Sequence, residues 1–195
     1  HWKEWTYYLL NTDSPSLYLE VNNSLELLNE YNFTRFWPQR YIELENSFFN
    51  FNLILKDFMT QFHRHSTHLR SYYNTERFHK KEWHEDQRVF YKLYEEYEFH
   101  ILLVQDLVLE LTRSVNQICN LIRHYIDPKF RIKEGKIIVQ TGDFLDENME
   151  ICSQILYPTY GFKQLYRGLK NFKMDRIIRD FYFGIGNSPK DETHL

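Results

Sequence analysis

Five histidines, His63, His65, His68, His79 and His84, fall within one short stretch that also carries Glu76, Glu82, Glu85 and Asp86. Imidazole nitrogens and carboxylate oxygens are the ligands of zinc and of non-haem metal ions. These five histidines are therefore the candidate metal ligands of the chain. Their spacing matches no His-Glu-x-x-His helix motif, and histidines five apart do not share one face of a straight helix. A solvated polar connector accounts for the same residues, and no cofactor is expected.

A second candidate is electrostatic. Lys163, Arg167, Lys170, Lys173, Arg176 and Arg179 put six positive side chains against Asp175 and Asp180. Lys163, Arg167 and Lys170 share one helical face, and Tyr166 and Phe172 are interleaved with them. Such a surface can neutralise phosphates and stack bases, which makes these six the candidate nucleic-acid contacts. The plainer reading is the solvated side of an amphipathic helix, paired with acidic helices of the same chain.

A third candidate is Arg77 with His84. An arginine followed by a histidine after four to six residues resembles the motif of the HEPN ribonucleases, which are helical bundles. The resemblance implies a pair near a dimer interface that attacks an RNA backbone, with Arg77 and His84 as catalytic residues. It covers two residues and a fold class. The polar residue that usually follows the arginine is Phe78 here, so membership of that family is not assigned. Other catalytic patterns are absent: there is no P-loop, no G-x-G-x-x-G, no G-x-S-x-G and no C-x-x-C. His100 lies beside a run of apolar positions and reads as a helix-packing histidine.

The elements that must position these groups are helical. Phe90, Tyr97, Val104, Leu111, Ile118 and Tyr125 recur every seven residues, with Tyr94, Ile101, Val108, Val115 and Ile122 between them. No Gly or Pro interrupts the run until Asp127-Pro128. This pattern predicts one long helix over about 83–126. Tyr41, Leu44, Phe48, Phe51, Leu55, Phe58 and Phe62 predict a second over 38–63. Ser14 and Pro15 predict an N-cap and first turn for a helix over 15–31. The segment 64–80 reads as a polar connection with room for a short helical turn. Residues 1–12 are rich in aromatics and give no clear element.

After Pro128 the period shortens. Phe130 and Ile132, then Ile137 and Val139, flank Lys133-Glu134-Gly135-Lys136 and predict a small β-hairpin near 129–140. A helix is expected over 145–156, and one or two more over 161–180. The fold class read from these patterns is mostly α: an antiparallel helical bundle built on 83–126, with that hairpin attached. The chain reads as a single helical domain over 1–195, core helices in 1–127 and the hairpin and C-terminal helices in 128–195.

Composition fits this. Hydrophobic residues make up 43% and aromatics 18% of the 195 residues, alanine is absent, and the net charge is −3. A bulky core is expected, with no global pull toward polyanions. Cys119 and Cys152 give no disulfide framework and read as reduced thiols. No basic region followed by an apolar stretch opens the chain, so a cytoplasmic location is expected and no membrane partner. The sequons at Asn22 and Asn32 carry little weight without one.

The function expected is a non-enzymatic interaction or regulatory module that self-associates. A nucleic-acid-acting helical protein is the alternative, and a metal-dependent helical enzyme the third reading. At ~1.5 Å per residue, a helix over 38–63 reaches only ~39 Å of the ~65 Å over 83–126. Taken to cover the N-terminal part of the long helix, it leaves Leu111, Val115, Ile118, Ile122 and Tyr125 as candidate homodimer contacts.

Overall fold

A computed structural model describes residues 1–80, 87–140, 152–153 and 166–174. The described chain is mostly helical, with a small three-stranded antiparallel sheet. The elements in order are α1 (Trp2–Leu10), β1 (Ser16–Tyr18), α2 (Leu19–Phe33), α3 (Ile42–Arg64), β2 (Ser66–Leu69), β3 (Tyr72–Thr75), a 3-10 turn (Phe78–Lys80), α4 (Gln87–Tyr125), β4 (Val139–Gln140) and β5 (Cys152–Ser153). Among the described residues, no helix is long and apolar enough to cross a membrane.

The 39-residue α4 is continuous, as its unbroken apolar periodicity requires. Helix α3 lies along it in the antiparallel sense. Tyr41, just before α3, stacks on Tyr125 at 5.3 Å, and the Tyr125 hydroxyl donates to Glu43 over 2.7 Å. At the other end of α3, the ring of His65 meets that of His100 at 4.8 Å. Helix α3 therefore covers the C-terminal two thirds of α4, not the N-terminal part. Leu111 is wholly buried and Ile118 nearly so in the chain's own core, with Val115, Ile122 and Tyr125 half-buried against it. The five positions expected to meet a second subunit thus pack, wholly or in part, against the chain's own core. The expectation went wrong in the direction of the offset along α4: a hairpin and a 3-10 turn over residues 66–80 follow α3, and α3 ends opposite residue 100.

The first ten residues, unassigned from sequence, form α1. Trp5 and Leu9 enter the core, Trp5 meets Phe58 at 6.3 Å, and the Trp2 indole donates to Thr112 over 3.0 Å. The predicted start of a helix at Ser14-Pro15 leads instead into strand β1. The Pro15 carbonyl accepts from both the backbone N–H and the hydroxyl of Thr75, at 2.9 and 3.0 Å, and Ser14 donates to the Thr75 carbonyl. Those bonds hold 16–18 against β3, and the helix begins only at Leu19.

The connection 64–80 is more structured than its polarity suggests. Strands β2 and β3 form a hairpin in which Leu69 pairs with Tyr72, and the turn residue Arg70 takes a left-handed φ of 51°. The sheet order is β1-β3-β2. The short helical turn expected there is present at Phe78–Lys80.

The hairpin expected over 129–140 is not formed. Asp127 accepts from the Lys129 N–H, and successive turns follow with bonds from Phe130 to Asp127, Ile132 to Lys129 and Gly135 to Arg131. Phe130 and Ile132 sit in those turns. Ile137 is held by Asn116, whose amide both donates to its carbonyl over 2.7 Å and accepts from its N–H over 2.8 Å. Val139–Gln140 then pairs antiparallel with Cys152–Ser153, which also replaces helix by strand at that part of 145–156. The rest of 145–156 lies outside the described residues, as does most of 161–180; residues 169–174 are helical.

Candidate functional site

The histidines separate into different surroundings. His63, in the last turn of α3, bridges α2 and the sheet: one ring nitrogen lies 2.8 Å from the Asn22 side-chain oxygen and the other 3.2 Å from the Ser66 hydroxyl. His68 is exposed on β2 beside Tyr73. His79 is buried in a box of Phe90, Tyr94 and Tyr97, with ring centroids 5.9, 5.2 and 4.5 Å away. Burial pushes its pKa below the usual imidazole value, and Lys80 and Arg77 push the same way. His84 lies outside the described residues. Among the described residues, no group of three or more His, Cys, Asp or Glu side chains is placed to hold a metal ion.

His65 caps the C-terminus of α3 and is drawn into a different group. Its ring packs on Phe78 at 4.3 Å and edge-on to His100 at 4.8 Å. His100 is 6% exposed, and its Nε2 is buried without a hydrogen-bond partner among the described residues. Burial lowers its pKa to about 4, with His65, Arg64 and Lys173 adding repulsion of a second charge. At neutral pH the ring is uncharged, and its Nε2 offers one unused hydrogen-bonding position.

These two imidazoles line a cavity of about 850 Å³ where the end of α3, the 3-10 turn, α4 and the 166–174 segment meet. Arg64, Lys92 and Lys173 supply its cations, Glu95 and Glu96 its carboxylates, and Phe78 and Phe99 its apolar walls. Among the described residues, none of the three cations has an ion-pair partner. Sequence reasoning singled out His65, His100 and Lys173 separately and missed the rest. The available signal was Lys92, Glu96, Phe99 and Leu103, spaced as i, i+4, i+7 and i+11. That spacing runs charge into an otherwise apolar face of α4, which a helix buried throughout has no reason to do.

The other candidates are placed as follows. Arg167 and Lys170 are exposed, Lys173 faces the cavity, and Lys163, Arg176 and Arg179 lie outside the described residues. Tyr166, ahead of them, is buried; its N–H donates to Asn50 and its hydroxyl to Asp57, at 2.8 and 2.7 Å. This ties the segment to α3. Arg77 is exposed beside Tyr97, and its partner in the ribonuclease-like pair, His84, is not described. Both sequon asparagines are buried: Asn22 contacts His63, and Asn32 donates to Asn52 over 2.9 Å.

One further surface was missed. Ile42, Phe49 and Leu53 of α3 are 63%, 55% and 37% exposed, on the side of the helix opposite its core face of Leu44, Phe51, Leu55, Phe58 and Phe62. Phe33 of α2 lies edge-on to Phe49 at 6.3 Å and is itself exposed. Comparison with protein-family models, curated proteins and solved structures finds no match for this chain.

Proposed function

We propose that this chain is a non-enzymatic protein-interaction module that pairs with a second copy of itself through the outward stripe of α3. The observation that carries this reading is that stripe: a second apolar face on a helix whose first is already buried. Scattered exposed apolar residues need no explanation, but a contiguous set at helical spacing marks an interaction surface. Each of these side chains is roughly half exposed, so each forgoes about 1 kcal/mol by staying in water.

The spacing supports a copy of the same chain as occupant. Ile42, Phe49, Leu53 and Thr60 are separated by seven, four and seven residues, a pattern that reads the same in both directions. Two such helices related by a two-fold axis near residue 51 set Phe49 against the partner's Leu53, and Ile42 against the partner's Thr60. The same register brings Glu45 near the partner's Lys56, two opposite charges flanking one side of the seam. Light scattering over a concentration series tests the reading. Wild-type chain is expected to approach twice the monomer mass, and Phe49→Glu to remain monomeric with an unchanged melting temperature. A wild-type monomer at high micromolar concentration removes it.

A further inference from the structure

The cavity between α3 and α4 is separate from the α3 stripe and has the make-up of a ligand site. Its volume of about 850 Å³ lies within the range of small-molecule pockets. Two aromatic walls, Phe78 and Phe99, and two aliphatic ones, Leu93 and Leu103, give it an apolar body. Its charged groups are Arg64, Lys92 and Lys173 against Glu95 and Glu96, a balance of +1 before the imidazoles are counted. The rings of His65 and His100 complete the lining.

We propose that this cavity binds a small organic anion with a flat apolar body, an aryl phosphate or aryl carboxylate. The anion lies among Arg64, Lys92 and Lys173, and the ring between Phe78 and Phe99. The ligand lies beside the His100 ring. A balance of only +1 and the carboxylates of Glu95 and Glu96 disfavour a polyanion, which separates this site from a nucleic-acid surface.

Calorimetry with phenyl phosphate, inorganic phosphate and phenol on the full chain tests this, with the His100 ring nitrogens followed by NMR. Phenyl phosphate is expected to bind with Kd below about 1 mM, and each half-molecule at least about tenfold more weakly. The His100 nitrogen resonances should move during the phenyl phosphate titration. Arg64→Gln and Lys92→Gln, both at exposed positions, should keep the wild-type melting temperature and weaken binding about tenfold. Equal binding of inorganic and phenyl phosphate overturns the apolar half of the proposal. No phenyl phosphate binding at about 10 mM, or binding that ignores both substitutions and leaves His100 unmoved, overturns the whole.

Discussion

His100 gives the sharpest prediction about stability. In the unfolded chain its imidazole has the ordinary pKa of 6.5, and in the folded protein burial lowers this to about 4. Above pH 6.5 both states hold it neutral, and its full stabilising contribution relative to acid is present. As pH falls from 6.5 toward 4 the unfolded chain takes up a proton that the folded chain refuses, so stability declines across this window. Below about 4 both states are protonated and the decline stops. A shift of this size corresponds to about 3 kcal/mol in total, of which about 2.5 kcal/mol is lost by pH 4.5. The groups that act on the ring, His65, Arg64 and Lys173, all push its pKa in the same direction. His63 and His79, also shifted down by burial, add to the wild-type slope. His100→Gln isolates the one contribution, because an amide does not titrate. Urea denaturation at pH 7.5 and 4.5 is expected to show the variant losing about 2 kcal/mol less than wild type between the two. Equal losses in both proteins would refute the assignment of His100 as a neutral, desolvated ring.

Three other outcomes follow from the packing. Leu111→Ala should cost about 3–5 kcal/mol in chemical denaturation, and Leu111→Glu should unfold the chain rather than release a folded monomer, since Leu111 is fully buried within it. Asn116→Ala removes both bonds to the Ile137 backbone and leaves its N–H and carbonyl unpaired, for a loss of about 2–4 kcal/mol and faster amide exchange at Ile137. Tyr166→Phe deletes the bond to Asp57 in a half-buried setting; a drop of about 1–2 kcal/mol in unfolding free energy is expected.

The two long helices were legible because their apolar positions repeat at helical spacing without a Gly or Pro to interrupt them. What escaped was decided by contacts between distant segments. Ser14-Pro15 has the local form of a helix start, yet Thr75, some sixty residues away, supplies bonds that hold the segment extended. Strands β2 and β3, Ser-Thr-His-Leu and Tyr-Tyr-Asn-Thr, are largely exposed and turn at Arg70-Ser71, so they show neither apolar alternation nor an Asn-Gly signal. The expected hairpin near 129–140 had alternation and a glycine. The Asx turn at Asp127 and the grip of Asn116 on Ile137 override both. Lengths were read well, but the offset of α3 along α4 was not, because a hairpin hidden in the connector sets it. That one error placed the candidate interface on α4, while Ile42, Phe49 and Leu53 of α3 went unremarked. The cavity groups were missed because Arg64 and Lys92 become neighbours only when α3 meets α4 near His100.

The central claim, an antiparallel pairing of two copies through α3, is tested most directly by a distance between labels. A spin label at Thr60→Cys, in a Cys119→Ser, Cys152→Ser background, sits nine residues from the two-fold axis near residue 51. The two labels of a dimer are then separated by about 27 Å along the helix axis, at ~1.5 Å per residue. Dipolar coupling at a distance near that value is expected in wild-type sequence around the label, and its loss on adding Phe49→Glu. A separation under about 15 Å would mean parallel helices, and no coupling at high micromolar concentration would mean no pairing through this surface; either result contradicts the account.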